Sequence, residues 1–297
     1  MYWETFARPV PLAELGWVNA MYLGTGVWHW DPMMVWGTTV DTGPLDEFLK
    51  EQRRHTGRIL SPAHVLVRAV ARSLSRHPNV NRRVTGRRVH QYDGVNIVVP
   101  MLQTRAGEVD PIFLRAADKM SLAEIAERFW AAARQKAVGA AVAARRGEAS
   151  GPIRRLAAGL GRTLRLHWVH KMGWLGFYLG CHLRVPTFFE FQQELNGAGA
   201  FVNYLGFPGA PPMIAFKPSC LPMNAYSVNV TMGPSESRPV VVDSAVVVRQ
   251  QASLFVRADH RMINAHQVAA FIGTLRAQLA NPWALVQDEH PAACDAA

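Results

Sequence analysis

Apolar positions along the chain follow two periods, and where one gives way to the other a strand is expected to give way to a helix. MMVWGTTVD predicts a strand, which Gly43-Pro44 breaks before the helical segment LDEFLKEQRRHTG. Ser61 followed by Pro62 predicts the next helix start, since a side-chain cap precedes the position where a missing N–H costs nothing. Through AHVLVRAVARSLSRH that helix places Val67, Val70, Ala71 and Leu74 on a buried stripe and turns Arg68, Arg72 and Arg76 toward water, and Pro78 ends it. VHQYDGVNIVVPM and EVDPIFLRAAD predict two strands joined by a turn region that holds Gly107. In SLAE, Glu124 can reach back to the amide of Ser121, a capping box that opens another helix with Leu122, Ile125, Ala126 and Phe129 as its core stripe. Further on, GAFVNYLG, NAYSVNVTMG and RPVVVDSAVVVRQQASLFVRA predict strands. A last helix begins after Asn264, buries Val268, Phe271, Ile272, Leu275 and Leu279, and ends at Asn281-Pro282; the tail to Ala297 is expected to fray. With no internal repeat and no long linker, residues 1–297 are expected to form a single domain.

One stretch, at about 139–196, interrupts this pattern. Residues 145–184 hold seven Arg and one Lys against one Glu, a net of +7 out of the chain's +10. Ile153, Leu156, Leu160, Leu164 and Trp168 recur every three or four residues with the arginines off that stripe, which predicts a basic amphipathic helix despite Gly151, Gly159 and Gly161. The aromatic, nearly uncharged run MGWLGFYLGC follows. Together they suit an element lying on a membrane surface or covering an apolar site, and they equally suit an ordinary helix packed on its own domain with solvated arginines. Nucleic acid is disfavoured as a partner, because no aromatic and basic reading motif accompanies the charge.

Composition excludes several classes. Hydrophobic residues make up 49% of 297 positions and charged residues only 18%, with nine Trp and thirteen Phe, so the chain is not disordered. Cys181, Cys220 and Cys294 are odd in number and widely spaced, which supports neither a disulfide framework nor a zinc site, and no metal is expected. The start has no basic segment leading into an apolar run, so a cytoplasmic location is expected, peripheral to the inner face of the membrane if the basic stretch binds lipid. From Met172 to Cys181 the longest apolar run is far short of the roughly 20 residues that span a bilayer.

Chemistry is suggested at SLFVRADHRMINAHQ, where a strand runs through Asp259, His260 and Arg261 into the last helix. A histidine at such a junction is held by rigid elements on both sides and can project into a cleft as a general base, although most of the chain's eleven histidines must serve packing or surface roles. Asp259 and Arg261 read as a structural ion pair supporting the loop.

ADHRMINA, followed by an amphipathic helix ending in Asn-Pro, resembles the DHRxxDG signature of the catalytic domain of dihydrolipoamide acyltransferases, the core components of 2-oxoacid dehydrogenase complexes. Upstream, MVWGTTVDTGPLDEFL, SPAHVLVRAVARSLSRHPNVNRRV, VHQYDGVNIVVPM, EVDPIFLRAADKMSLAEIAERF and GAFVNYLG resemble that family's segments in the same order, over nearly the whole chain except the insertion. The resemblance implies an α/β chloramphenicol acetyltransferase-like mixed-sheet sandwich with flanking helices. It implies a homotrimer with active sites between subunits, and a coenzyme A-dependent acyltransferase acting on a small-molecule thioester. His260 maps to the family base, which takes the proton of a thiol or hydroxyl acceptor; an imidazole of ordinary pKa about 6.5 suits a thiol of about 8.5, at a typical worth of 10²–10⁴ in rate.

Three departures follow from the same mapping. The family's oxyanion-stabilising serine falls on Asn203, an amide donor of different reach, within FVNY. Its acidic residue falls on Asn264, an accepted variant in the family that also suits helix capping here. Its glycine falls on Ala265, so that position must avoid positive φ. No lipoyl domain with its modified lysine and no subunit-binding module precedes the first strand, so a free-standing enzyme without a covalent lipoyl group is expected, and coenzyme A contacts are not encoded in any short motif. The rival expectation is a non-catalytic trimeric scaffold that holds a membrane or protein partner through the basic insertion, with His260 vestigial.

Overall fold

The computed structural model describes residues 7–11, 33–57, 59–85, 88–102, 109–148, 168, 171, 175, 197–207, 209–211, 213 and 226–287. Nine strands are described: β1 (Ala7–Val10), β2 (Met33–Asp41), β3 (Arg82–Thr85), β4 (Arg88–Tyr92), β5 (Ile97–Leu102), β6 (Val109–Leu114), β7 (Ala200–Tyr204), β8 (Val228–Val242) and β9 (Ala245–Asp259). The helices are α1 (Gly43–Thr56), α2 (Pro62–Arg76), α3 (Leu122–Glu148), α4 (Ala265–Ala280) and the short α5 (Ala284–Gln287). A six-stranded sheet runs β2-β9-β8-β7-β5-β6, and a small antiparallel one runs β1-β4-β3. β7 lies parallel to β5 and β8 while every other pair of the large sheet is antiparallel, so the sheet is mixed, as the resemblance implies.

Side chains alternate across a pleated strand, and here the alternation sorts apolar from polar. Val228, Val230 and Met232 of β8 and Ala252, Leu254, Val256 and Ala258 of β9 fall on one face and are buried in a core shared with α2 and α4. On the other face of the same strands Asn229, Thr231, Ser253, Arg257 and Asp259 are buried but polar. The candidate chemistry borders this second face.

Helix starts match the sequence reading closely. Pro62 opens α2 behind Ser61, and at Ser121 the amide and hydroxyl both donate to Glu124 Oε2 while the Glu124 amide donates back to the Ser121 hydroxyl at 3.1 Å. Two expectations are corrected. Arg68 does not face water: it is 6% exposed, and its Nη1 donates to the Asp118 carbonyl at 2.9 Å, while Arg72 Nη1 reaches the Ala284 carbonyl at 2.7 Å. Nearly every residue from His64 to Leu74 is buried, so α2 is a central helix, and a long arginine stem lies along apolar surface to carry its charge to a backbone acceptor. The run VHQYDGVNIVVPM is not one strand but two in different sheets, broken at Asp93-Gly94.

The last two strands also divide differently from the reading. β8 continues through Gly233-Pro234 with a register shift between Met232 and Ser235, and the chain reverses at Asp243-Ser244. Both turn residues have positive φ, 47° and 64°, as the two-residue hairpin turns matched to strand twist require. β7 stops at Tyr204 opposite Met232, β2 stops at Asp41 opposite Gln251, and the Thr42 amide still donates to the Gln250 carbonyl, so beyond Ser237 the hairpin leaves the sheet as a two-stranded ribbon. Val241, Val246 and Val248, on one face of it, are 73%, 73% and 71% exposed.

α3 runs 27 residues to Glu148, beyond the point at which the sequence departs from the family pattern. Of the basic stretch that follows, Trp168, Lys171 and Leu175 are described, each helical and exposed; the predicted amphipathic helix and MGWLGFYLGC otherwise lie outside the described residues. Among the described residues no helix is long and apolar enough to cross a membrane.

At the edge of the core, the parallel pair β5–β7 begins beside Gly199, whose amide donates to the Asn96 carbonyl at 3.0 Å. A Cβ on Gly199 would stand 1.8 Å from Asn81 Oδ1, and Asn81 is 2% exposed with its amide held to the Gly94 carbonyl. Gly199→Ala is therefore expected to cost about 1–3 kcal/mol by overpacking. A urea titration that places the variant's midpoint with the wild type would overturn this.

Candidate active site

β9 delivers its last residue, Asp259, into the sheet with its amide donating to the Ser227 carbonyl at 3.3 Å. The chain then turns at once, because the amides of Met262 and Ile263 both donate to the Asp259 carbonyl, at 3.2 and 3.1 Å. Met262 and Ile263 are buried at 1% and 0% exposure and anchor the turn in the core. Asn264 then starts α4: its Oδ1 accepts the Gln267 amide at 2.9 Å, and Gln267 Oε1 accepts the Asn264 amide at 3.0 Å. Five residues separate strand from helix, and both ends of the turn are fixed by hydrogen bonds.

His260 and Arg261 stand on the turn's half-buried side. Asp259, 1% exposed, accepts from the Arg261 amide at 3.0 Å, from its Nε at 3.0 and 3.1 Å, and from its Nη2 at 2.5 Å, so the two form the supporting ion pair the sequence suggested. His260 Nδ1 lies 2.9 Å from the Ile263 carbonyl oxygen. A carbonyl only accepts, so the Nδ1 proton is the donor, and in the neutral ring the lone pair belongs to Nε2. From the other side Trp36 of β2 meets the imidazole edge-on, with centroids 6.5 Å apart and planes at 66°. The ring is thus fixed in orientation and tautomer, which a proton acceptor needs.

Asn203 is half-buried on β7, in register with Thr231 of β8, which pairs with Phe255 of β9, itself opposite Gly37 of β2. From Phe255 to Asp259 is four residues, about 13 Å along the strand, and from β9 to β7 is two strand spacings, about 10 Å. One chain therefore does not bring Asn203 to His260. Asn264 sits four positions from His260, but its side chain is engaged in capping α4. Among the described residues no three His, Cys, Asp or Glu gather as metal ligands.

Sequence reasoning missed Trp36 and the Ile263 carbonyl. Trp36 stands in the strand MMVWGTTVD without a motif of its own, and a backbone acceptor has no residue identity to read.

The mixed six-stranded sheet, flanked by helices and ending in a histidine turn, defines a chloramphenicol acetyltransferase-like α/β fold. Residues 31–143 and 224–287 match the 2-oxoacid dehydrogenases acyltransferase (catalytic domain) family, and the chain belongs to that family. Among solved structures it is similar to the dihydrolipoamide acetyltransferase of Azotobacter vinelandii, with 20% identity, 93% of each chain covered and a TM-score of 0.58. It is also similar to the cubic core of the pyruvate dehydrogenase multienzyme complex, with 19% identity over 94% of this chain and 98% of that one and a TM-score of 0.55. A chloramphenicol acetyltransferase aligns at 11% identity over 92% of this chain and 99% of that one, with a TM-score of 0.50. No curated protein sequence matches the chain. His260 and Asn264 lie within the matched stretches; Asn203 lies in the gap between them together with most of the insertion.

Proposed function

We propose that this acyltransferase moves an acyl group from coenzyme A to a thiol or hydroxyl acceptor, with His260 as general base and the active site completed by a neighbouring subunit of a homotrimer. The observation that carries the reading is the bond from His260 Nδ1 to the Ile263 carbonyl, which leaves Nε2 as the basic nitrogen. Nε2 takes the acceptor's proton as the acceptor sulfur or oxygen bonds to the thioester carbonyl carbon. When the carbonyl re-forms, the bond from carbon to the coenzyme A sulfur breaks and the imidazolium returns the proton to that sulfur. The tetrahedral intermediate carries an oxyanion, for which the Asn203 amide is a suitable donor, and Asn264 holds the turn through its cap.

The distance between Asn203 and His260 within one chain favours an arrangement in which each site takes one residue from either subunit. Kinship with multienzyme cores supports the same assembly. In the Azotobacter vinelandii enzyme a serine, a histidine and an asparagine were investigated for roles in the catalytic mechanism, the last two four positions apart, as His260 and Asn264 are.

The test is acyl exchange from a panel of acyl-coenzyme A donors to dihydrolipoamide and to simple alcohols, read as release of free coenzyme A thiol. Acceptor-dependent release is expected for at least one donor. Absence of both release and donor binding over the panel would overturn the reading.

A further inference from the structure

We infer that Arg82, a residue of the small sheet remote from the turn in sequence, is a positioning residue for His260, an assignment that rests on the general-base reading above. Arg82 opens β3 in the small sheet and is 6% exposed, although it carries a permanent charge. Its Nη1 donates to the carbonyl of Met262 at 3.2 Å. The next carbonyl along the chain, that of Ile263, is the one that receives the His260 Nδ1 proton. Successive carbonyls are joined by one rigid peptide plane and two soft dihedrals, so holding the first restricts the second, and through it the imidazole.

The arginine is itself held at the same place. Its amide donates to the Ser227 hydroxyl at 3.0 Å, and that hydroxyl donates to the Val80 carbonyl. The Ser227 carbonyl accepts the amide of Asp259, the residue before His260. Ser227 is wholly buried and ties the start of β3 to the end of β9, so the backbone amide and the guanidinium of Arg82 are both referred to the histidine turn. The ion pair between Asp259 and Arg261 and the Asn264 cap are made by residues of the turn and of α4 themselves. Arg82 brings a charged donor from 178 positions away in sequence. A donor to the Met262 carbonyl could be supplied by any polar neighbour; a guanidinium is worth its burial cost where one geometry must be kept, since charged hydrogen bonds are the stronger and more directional kind.

The experiment compares wild type with Arg82→Met, Arg82→Lys, His260→Ala and the double variant Arg82→Met/His260→Ala, each checked for folded content by circular dichroism. Arg82→Met is expected to lower kcat about tenfold or more with KM for donor and acceptor changed less than twofold. Arg82→Lys, which keeps a charged donor, should recover part of the loss. The double variant should be no slower than His260→Ala alone, because a residue that acts only through the histidine has nothing left to act on. Should the methionine variant fail to fold, Arg82→Gln, whose amide falls short of the carbonyl, is read in its place. A wild-type kcat in the neutral variants, or a double variant slowed multiplicatively, overturns the positioning role. If His260→Ala itself keeps full activity, the general-base reading fails instead, and the two failures are told apart.

Discussion

Replacing His260 with Ala is expected to lower acyl transfer by a factor of 10² or more without unfolding the protein. The loss should be that large because a thiol of pKa about 8.5 is mostly protonated at neutral pH and attacks slowly unless its proton leaves as the carbon–sulfur bond forms. The fold should survive because the ring is half-buried, and the turn is anchored by Met262, Ile263 and the carbonyl of Asp259 rather than by the imidazole. His260→Gln gives a sharper comparison: its amide can keep the bond to the Ile263 carbonyl, yet it has no basic nitrogen, so it should be as slow as the alanine variant. A glutamine variant of near wild-type kcat would mean that orientation, not basicity, is what the histidine supplies.

A second large effect is expected from acid. Stability should fall by about 2 kcal/mol between pH 7 and pH 5, and by about 3 kcal/mol by pH 4, from one side chain. His64 is 4% exposed in the first turn of α2, where its Nδ1 accepts the Ser61 amide at 3.0 Å and its ring meets that of Phe129 at 88° with centroids 4.7 Å apart. Burial lowers its pKa from 6.5 to about 4, because the protonated ring would be stranded among apolar neighbours. The unfolded chain therefore binds a proton near pH 6.5 that the folded chain refuses until about pH 4, and stability is full above 6.5 and lost as pH falls through that window. His77, also shifted down by burial, acts in the same direction. His64→Gln isolates the effect, since glutamine at that position completes a Ser-x-x-Gln capping box without titrating. Urea unfolding at pH 7, 5 and 4 should show the variant's pH dependence reduced by that amount; equal slopes in the two proteins would rule His64 out as the cause.

Elements whose signal is local were legible in the sequence. Ser61, Ser121 and Asn264 announce helix starts because a cap is made within three residues of itself, and MMVWGTTVD announces β2 because alternation is visible along one strand. What depends on distant partners was not. Arg68 was assigned to solvent because helical period shows only which residues share a face, whereas its acceptor, the Asp118 carbonyl, comes from fifty positions on. The turn at Asp243-Ser244 escaped because it lacks glycine and sits between two valine runs that read equally well as one continuous strand.

The site divides the same way. His260 and Asn264 could be found from a short signature, and the structure places both on one turn, with Asn264 in the capping role its position suggested. Asn203 could be mapped, but its separation from His260 emerges only from strand register. The Arg82 contact joins two segments that no local pattern relates.

The protruding ribbon has a consequence for how the protein behaves in crowded solution. Beyond Ser237 both of its outer edges carry backbone groups that no neighbouring described strand pairs, the kind of surface on which foreign strands grow into aggregates. Pro239 removes one donor from the first edge, and Arg238 opposite Arg249 sets like charges across the pair midway along the arm. The exposed valines nearer the tip can thus meet a complementary surface face to face, while edge-on growth along the first edge is interrupted where Pro239 lacks its proton.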